Sequence, residues 1–84
     1  MEKVIENVEG YLLKNKNGEF LTNKQTWSMY NKHTRTFESI DECLKVKAKR
    51  PSSRVIEVAY RYTFTNMGMT KYERVERKYQ PNNN

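Results

Sequence analysis

An α+β fold is what this sequence predicts: an antiparallel sheet of two hairpins, about four to five strands, packed against a single helix in the order β-β-β-α-β-β. Three observations lead there. Asn17-Gly18 stands between two apolar runs, a capped and charge-polarised segment occupies 39–50, and an alternating run from Ile56 turns back on itself near Gly68.

The first element is GYLLKNKNGEFLT, in which Tyr11, Leu12 and Leu13 precede Asn17-Gly18, and Phe20 and Leu21 follow. Asn and Gly both accept the positive φ of a type I′ turn, so a two-residue hairpin is expected. Val4, Ile5 and Val8 add a strand or an irregular arm before it. TWSMY is aromatic and poor in helix formers, which assigns Trp27 and Met29 to a third strand, with Trp27 in the core. The polar loop NKHTRT follows.

FESIDECLKVKAKRP is the helix. Ser39 is the N-cap, Glu42 completes the Ser-x-x-Glu box, and Asp41 and Glu42 place negative charge at the positive end of the helix dipole. Lys47, Lys49 and Arg50 stand at the other end, and Pro51 stops the helix. Ile40, Cys43, Leu44, Lys47 and Ala48 share one face, so Ile40 and Leu44 are expected on the sheet.

From Ile56 the pattern has period two. Ile56, Val58, Tyr60, Tyr62 and Phe64 lie on one face, and Glu57, Ala59, Arg61, Thr63 and Thr65 on the other. The return run is ambiguous, because Met69, Tyr72, Val75 and Tyr79 would also form one face of a helix. Pairing favours the hairpin. A three-residue loop Asn66-Met67-Gly68 sets Tyr62 opposite Tyr72, Arg61 opposite Glu73, Ala59 opposite Val75 and Glu57 opposite Arg77, whereas a two-residue loop opposes Arg61 to Arg74. Strands of this length reach roughly 35 Å at 3.3 Å per residue, against roughly 30 Å for a compact globule of this size. One end of the hairpin therefore projects, and if it is the tip, Phe64, Met67 and Met69 are short of a core.

With 84 residues and 36% apolar content the chain predicts one small domain over 1–80, closed by a disordered tail at 81–84. A single cysteine excludes an intramolecular disulfide, MEKVIENVEG lacks the layout of a signal peptide, and no apolar run approaches membrane-spanning length. A soluble, cytoplasmic protein with no membrane association is expected. His33 is the lone histidine, in a polar loop, and Cys43 reads as a small buried hydrophobe. Neither a catalytic site nor a metal site is expected, and Gly10, Gly18 and Gly68 are isolated turn glycines that imply no nucleotide cofactor.

The net charge is +6 and unevenly placed: residues 1–42 carry 6 basic and 7 acidic side chains, residues 43–84 carry 10 and 3. Such segregation points to an anionic partner, nucleic acid first and an acidic protein face second, and excludes mimicry of DNA. Tyr60, Tyr62 and Phe64 are expected as core under the helix, and Arg61 and Arg77 are explained by Glu73 and Glu57. The cations left over are Lys45, Lys49, Arg50, Arg54, Arg74 and Lys78, with Tyr72 and Tyr79 as the accessible rings for unpaired bases. Met67 and Met69 form a hairpin-tip contact for a partner or a second copy.

In YLLKNKNGEFLT, the lone Trp27 and FESIDECLK, the first half resembles small Lys- and Asn-rich phage proteins. With its basic second half the chain is similar to early accessory proteins of T-even-type bacteriophages, among them the toxin-inhibition factor acting on ToxN-type endoribonucleases. The resemblance implies a class: a phage-encoded inhibitor, acting in the host cytoplasm, that works by binding. The leading expectation is a protein that binds RNA, together with a host toxin or nuclease, through the basic helix end and C-terminal hairpin, and acts by stoichiometric occlusion or sequestration. A protein–protein inhibitor without nucleic acid and an oligomerising structural protein, such as a homodimer through the C-terminal hairpin, are the alternatives.

Overall fold

In a computed structural model, which describes residues 1–81, the chain is a small α+β domain with one antiparallel five-stranded sheet and one short helix. The elements are β1 (Lys3–Lys14), β2 (Phe20–Leu21), β3 (Trp27–Ser28), α1 (Ile40–Ala48), β4 (Arg54–Thr65) and β5 (Gly68–Lys78). Their spatial order is β3-β2-β1-β4-β5. Of the expected tail, Pro81 is exposed and 82–84 lie outside the described residues.

The segment around Val4, Ile5 and Val8 is no arm. It is the first half of a twelve-residue central strand whose main partner is β4, paired from Lys3 opposite Phe64 to Lys14 opposite Arg54, with a bulge between Val8 and Gly10. The first hairpin is correspondingly slight, since β1 and β2 pair only at Lys14 and Phe20. Its turn is not type I′. Asn17 keeps a negative φ and Gly18 alone is left-handed, at φ +81. The Asn15 carboxamide oxygen accepts from the Asn17 and Glu19 amides at 3.0 and 2.9 Å, and this side-chain-mediated turn supplants the tighter one. The third strand is shorter than expected as well. Trp27 belongs to it, but Met29 lies beyond its end and is exposed.

The segment between β2 and α1, which includes the polar loop, carries structure that its composition conceals. Thr22 is buried, exchanging a hydrogen bond with the Thr26 hydroxyl at 2.7 Å and bridging to Thr34. Phe37 exchanges two backbone hydrogen bonds of 2.8 Å with Tyr11, which continues the sheet beside β1 for one residue.

Ser39 caps α1 as expected, its hydroxyl accepting from the Glu42 amide at 3.4 Å. The Glu42 carboxylate turns instead to Arg35, at 3.3 Å. The buried face is rotated from the expected one: Cys43 is enclosed and Ile40 and Val46 pack beside it, while Leu44 is 41% exposed. The cause lies in the sheet. Leu13, Leu21, Phe37 and Val55 form the floor under the helix, and Cys43 sits at its centre.

Leu12, Phe20, Ile56 and Val58 make a second, separate cluster on the opposite face. Tyr60, Tyr62 and Phe64 share that face by strand alternation, so they do not lie under the helix as expected. They are half-buried. Alternation alone groups residues into faces and cannot say which face a helix will cover.

The C-terminal run is a strand, and all four expected pairs are present: Tyr62 with Tyr72, Arg61 with Glu73, Ala59 with Val75 and Glu57 with Arg77. The register is reached by a different route. Thr65 stands opposite Gly68, leaving a two-residue loop, and the missing residue enters as a bulge between Thr63 and Phe64, where the Thr70 hydroxyl donates to the Thr63 carbonyl at 3.3 Å. The hairpin tip does project. The extents are 47 × 35 × 20 Å and the radius of gyration is 15.1 Å, against about 12 Å for a compact chain of this length.

Candidate nucleic-acid interface

Cross-strand charge governs the helix-side face of the projecting strands. Glu6 of β1 accepts from Arg61 of β4 at 3.1 and 3.2 Å and from Arg77 of β5, while the Arg77 Nε donates to Glu57 at 2.8 Å. Arg61 also approaches Glu73 at 3.6 Å, and Lys71 completes the set at 3.7 Å from Glu73. Three carboxylates thus balance three cations. The hydrogen bond from Arg77, then that from Arg61, outweigh desolvation and hold the Glu6 carboxyl below its ordinary range. This grid ties three strands into one register and presents little net charge.

Arg74, one of the cations left over in the sequence, is not free. It pairs with Glu76, and its guanidinium lies 4.9 Å from the centre of the Tyr30 ring on the face away from α1. Tyr79 packs beside the helix-side core. It is half-buried, its amide donates to Val55 O at 2.9 Å, and its ring meets Tyr11 edge-on at 5.7 Å.

Lys45, Lys49, Arg50, Arg54 and Lys78, joined by Lys47, form no ion pair among the described residues, and they gather around α1. Two depressions flank the helix. The first, an open cleft of about 400 Å³, is lined by Gln25, Arg35, Val46, Lys49 and Arg50. The second, about 210 Å³, has an apolar floor of Leu44, Val55, Tyr79 and Pro81 and a rim of Lys47, Arg54 and Lys78. Lys45 is exposed on the helix and lines neither.

Arg35 is a site residue that sequence reasoning missed. Its guanidinium lies 4.4 Å from the centre of the Phe37 ring and is held by Glu42, so it reaches the cleft in a fixed orientation. The one available signal is its spacing of two from Phe37, which places both on one side of an extended segment. Gln25 on the cleft wall has φ +62, the one left-handed non-glycine among the described residues.

The helix dipole accounts for cations at the end of α1, as at any helix C-terminus. It does not account for Arg54 and Lys78, which come from β4 and β5 and share a rim with Lys47. An ensemble of unpaired guanidinium and ammonium groups around two depressions can hold a polyanion by ionic contact.

Tyr72 is 54% exposed on the sheet face away from α1, stacked on Tyr60 at 5.3 Å with 13° between the rings. At the tip, Met67 is 93% and Met69 57% exposed. The structure therefore splits the expected site: Lys45, Lys49 and Arg50 lie around the helix, Arg54 and Lys78 stand at strand ends where the groove rim meets the tyrosine face, Arg74 and the accessible Tyr72 lie on that opposite face, and the methionines stand at the far end. Trp27 is half-buried against the helix-side core. Cys43 is enclosed, and burial pushes its thiol up to about 11, so it is neutral at physiological pH.

No cluster of three metal-ligating side chains occurs among the described residues, and no helix there is long and apolar enough to cross a membrane. No family model, curated protein or solved structure matches the chain.

Proposed function

We propose that this protein binds RNA through the cationic surface around α1 and acts by occupying its partner rather than by turnover. The observation that carries the reading is the contrast between two sets of charges. Arg61, Lys71, Arg74 and Arg77 along the projecting hairpin are paired with carboxylates, whereas Lys47, Lys49, Arg50, Arg54 and Lys78, at the helix end and the adjoining strand ends, form no ion pair among the described residues and line two depressions. Unmatched cations gathered at one end are what phosphate contacts require. Substitution tests it directly. K49A/R50A should weaken RNA binding about tenfold or more in a filter assay, while Lys71→Ala, removed from the balanced grid, leaves affinity within about twofold. Equal losses from the two would sink the assignment to the helix end.

The likeness of the first half to phage accessory proteins extends the reading to an inhibitor that covers a host nuclease or toxin together with its RNA. The groove of Leu44, Val55, Tyr79 and Pro81 with its cationic rim favours a second reading, capture of an acidic and apolar protein segment without nucleic acid. Affinity purification from the host with and without RNase separates them: a nuclease partner released by RNase supports the first, and one retained supports the second.

A further inference from the structure

We infer that the sheet face turned away from α1 is a stacking platform for unpaired bases of single-stranded RNA, with Tyr72 as its outermost ring. The inference rests on the RNA reading above and assigns it a second surface. Tyr60 and Tyr62 of β4 and Tyr72 of β5 lie together there, Tyr72 parallel to Tyr60 at 5.3 Å and tilted against Tyr62 at 5.1 Å. A ring fixed on one side by a parallel neighbour and 54% exposed offers a flat, preorganised surface to a base. The Tyr72 phenol is neutral at physiological pH, as an ordinary tyrosine is, and so does not repel phosphate; burial, with Tyr60 and Tyr62 adding to the effect, pushes its pKa further up.

Charge separates this face from the other. On the helix-side face of the projecting strands themselves, Arg61, Lys71 and Arg77 are balanced by Glu6, Glu57 and Glu73. On the tyrosine side, register places Lys3, Lys14, Arg54, Arg74 and Lys78 against Glu76, with Glu9 at the bulge beside it. The excess is positive, which suits a nucleic-acid strand better than a second copy of the same face. Lys78 also connects the platform to the cationic groove it shares with Arg54. From Tyr72 to Lys78 is roughly 20 Å along β5, so one strand of RNA can lay bases on the tyrosines and phosphates on the groove rim.

The test compares a labelled single-stranded RNA with an abasic oligomer of equal length and phosphate number, by fluorescence anisotropy at fixed salt. The RNA should bind about tenfold tighter than the abasic oligomer. Tyr72→Ala should remove most of that difference and leave abasic affinity unchanged, and Tyr72→Phe should retain it, which also controls for folding. Equal affinity of the unaltered protein for both oligomers overturns the platform while leaving phosphate binding in place. Binding of neither overturns the RNA reading and the platform with it. A dimer seen by light scattering and abolished by Tyr72→Ala would overturn the platform by giving the face to a second copy.

Discussion

Gln25 and Gly18 occupy equivalent places in two turns of the same form. In one, the Asn15 amide donates to Glu19 O and the Gly18 amide to Asn15 O; in the other, Thr22 donates to Thr26 O and Gln25 to Thr22 O. The left-handed position is filled by glycine in the first and by glutamine in the second, at φ +62. A side chain there costs about 1–2 kcal/mol. Gln25→Gly should therefore stabilise the protein by up to about 1 kcal/mol after the entropy of glycine is subtracted, read as a higher urea midpoint. Gly10 presents the opposite case, because a Cβ there would stand 2.7 Å from both Phe37 O and Thr36 Cγ2. Gly10→Ala should destabilise by about 1–3 kcal/mol, since Phe37 O is backbone and already bonded to Tyr11. Glu6 sets the pH dependence of the charge grid. Its carboxyl titrates lower when folded, so its contribution is present above the ordinary carboxylate range and is lost as pH falls through the depressed value. Urea midpoints of Glu6→Gln and the unaltered protein should differ at neutral pH and converge in acid. Of these features the sequence displays only the Glu57–Arg77 and Arg61–Glu73 pairs. The part of Glu6 depends on β1 lying beside β4, a contact between residues far apart in the chain.

At the scale of elements, signals confined to a few neighbouring residues were the legible ones. The Ser39 cap, the extent of α1 and the register of the β4–β5 hairpin all follow from chemistry within or across short segments. Ser39→Ala should cost about 1 kcal/mol, measured by urea unfolding. The tertiary choices were not legible. Leu44 and Cys43 both sit on the apolar side of the helical wheel, and the floor of Leu13, Phe37 and Val55 decides that Cys43 goes inside. The same choice turned Tyr60, Tyr62 and Phe64 away from the helix and uncovered an aromatic face that alternation alone reads as core. The first turn shows local competition of another kind, in which the Asn15 side chain overrides the preference of Asn17-Gly18 for the type I′ form.

For the whole molecule, shape and charge tell one story. A three-stranded ribbon of β1, β4 and β5 projects from a small helix-covered end, with Val4, Val8, Met67 and Met69 exposed along it. The charge asymmetry between the two halves of the sequence becomes a spatial asymmetry, because much of the basic second half folds around α1 while the projecting grid is neutralised. Composition revealed the excess of cations, and the structure adds Arg35, held by Glu42, to the cleft wall and takes Arg74 out of the unmatched set by pairing it with Glu76. The central claim is that this end of the molecule binds RNA phosphates. It is tested most directly by the salt dependence of binding to a single-stranded RNA. If Lys45, Lys47, Lys49, Arg50, Arg54 and Lys78, the cations around α1 that form no ion pair among the described residues, each engage a phosphate, log K should fall against log salt with a slope of about −4. K49A/R50A should reduce that slope by about 1.4. Affinity independent of salt, or no binding at physiological ionic strength, would contradict the account.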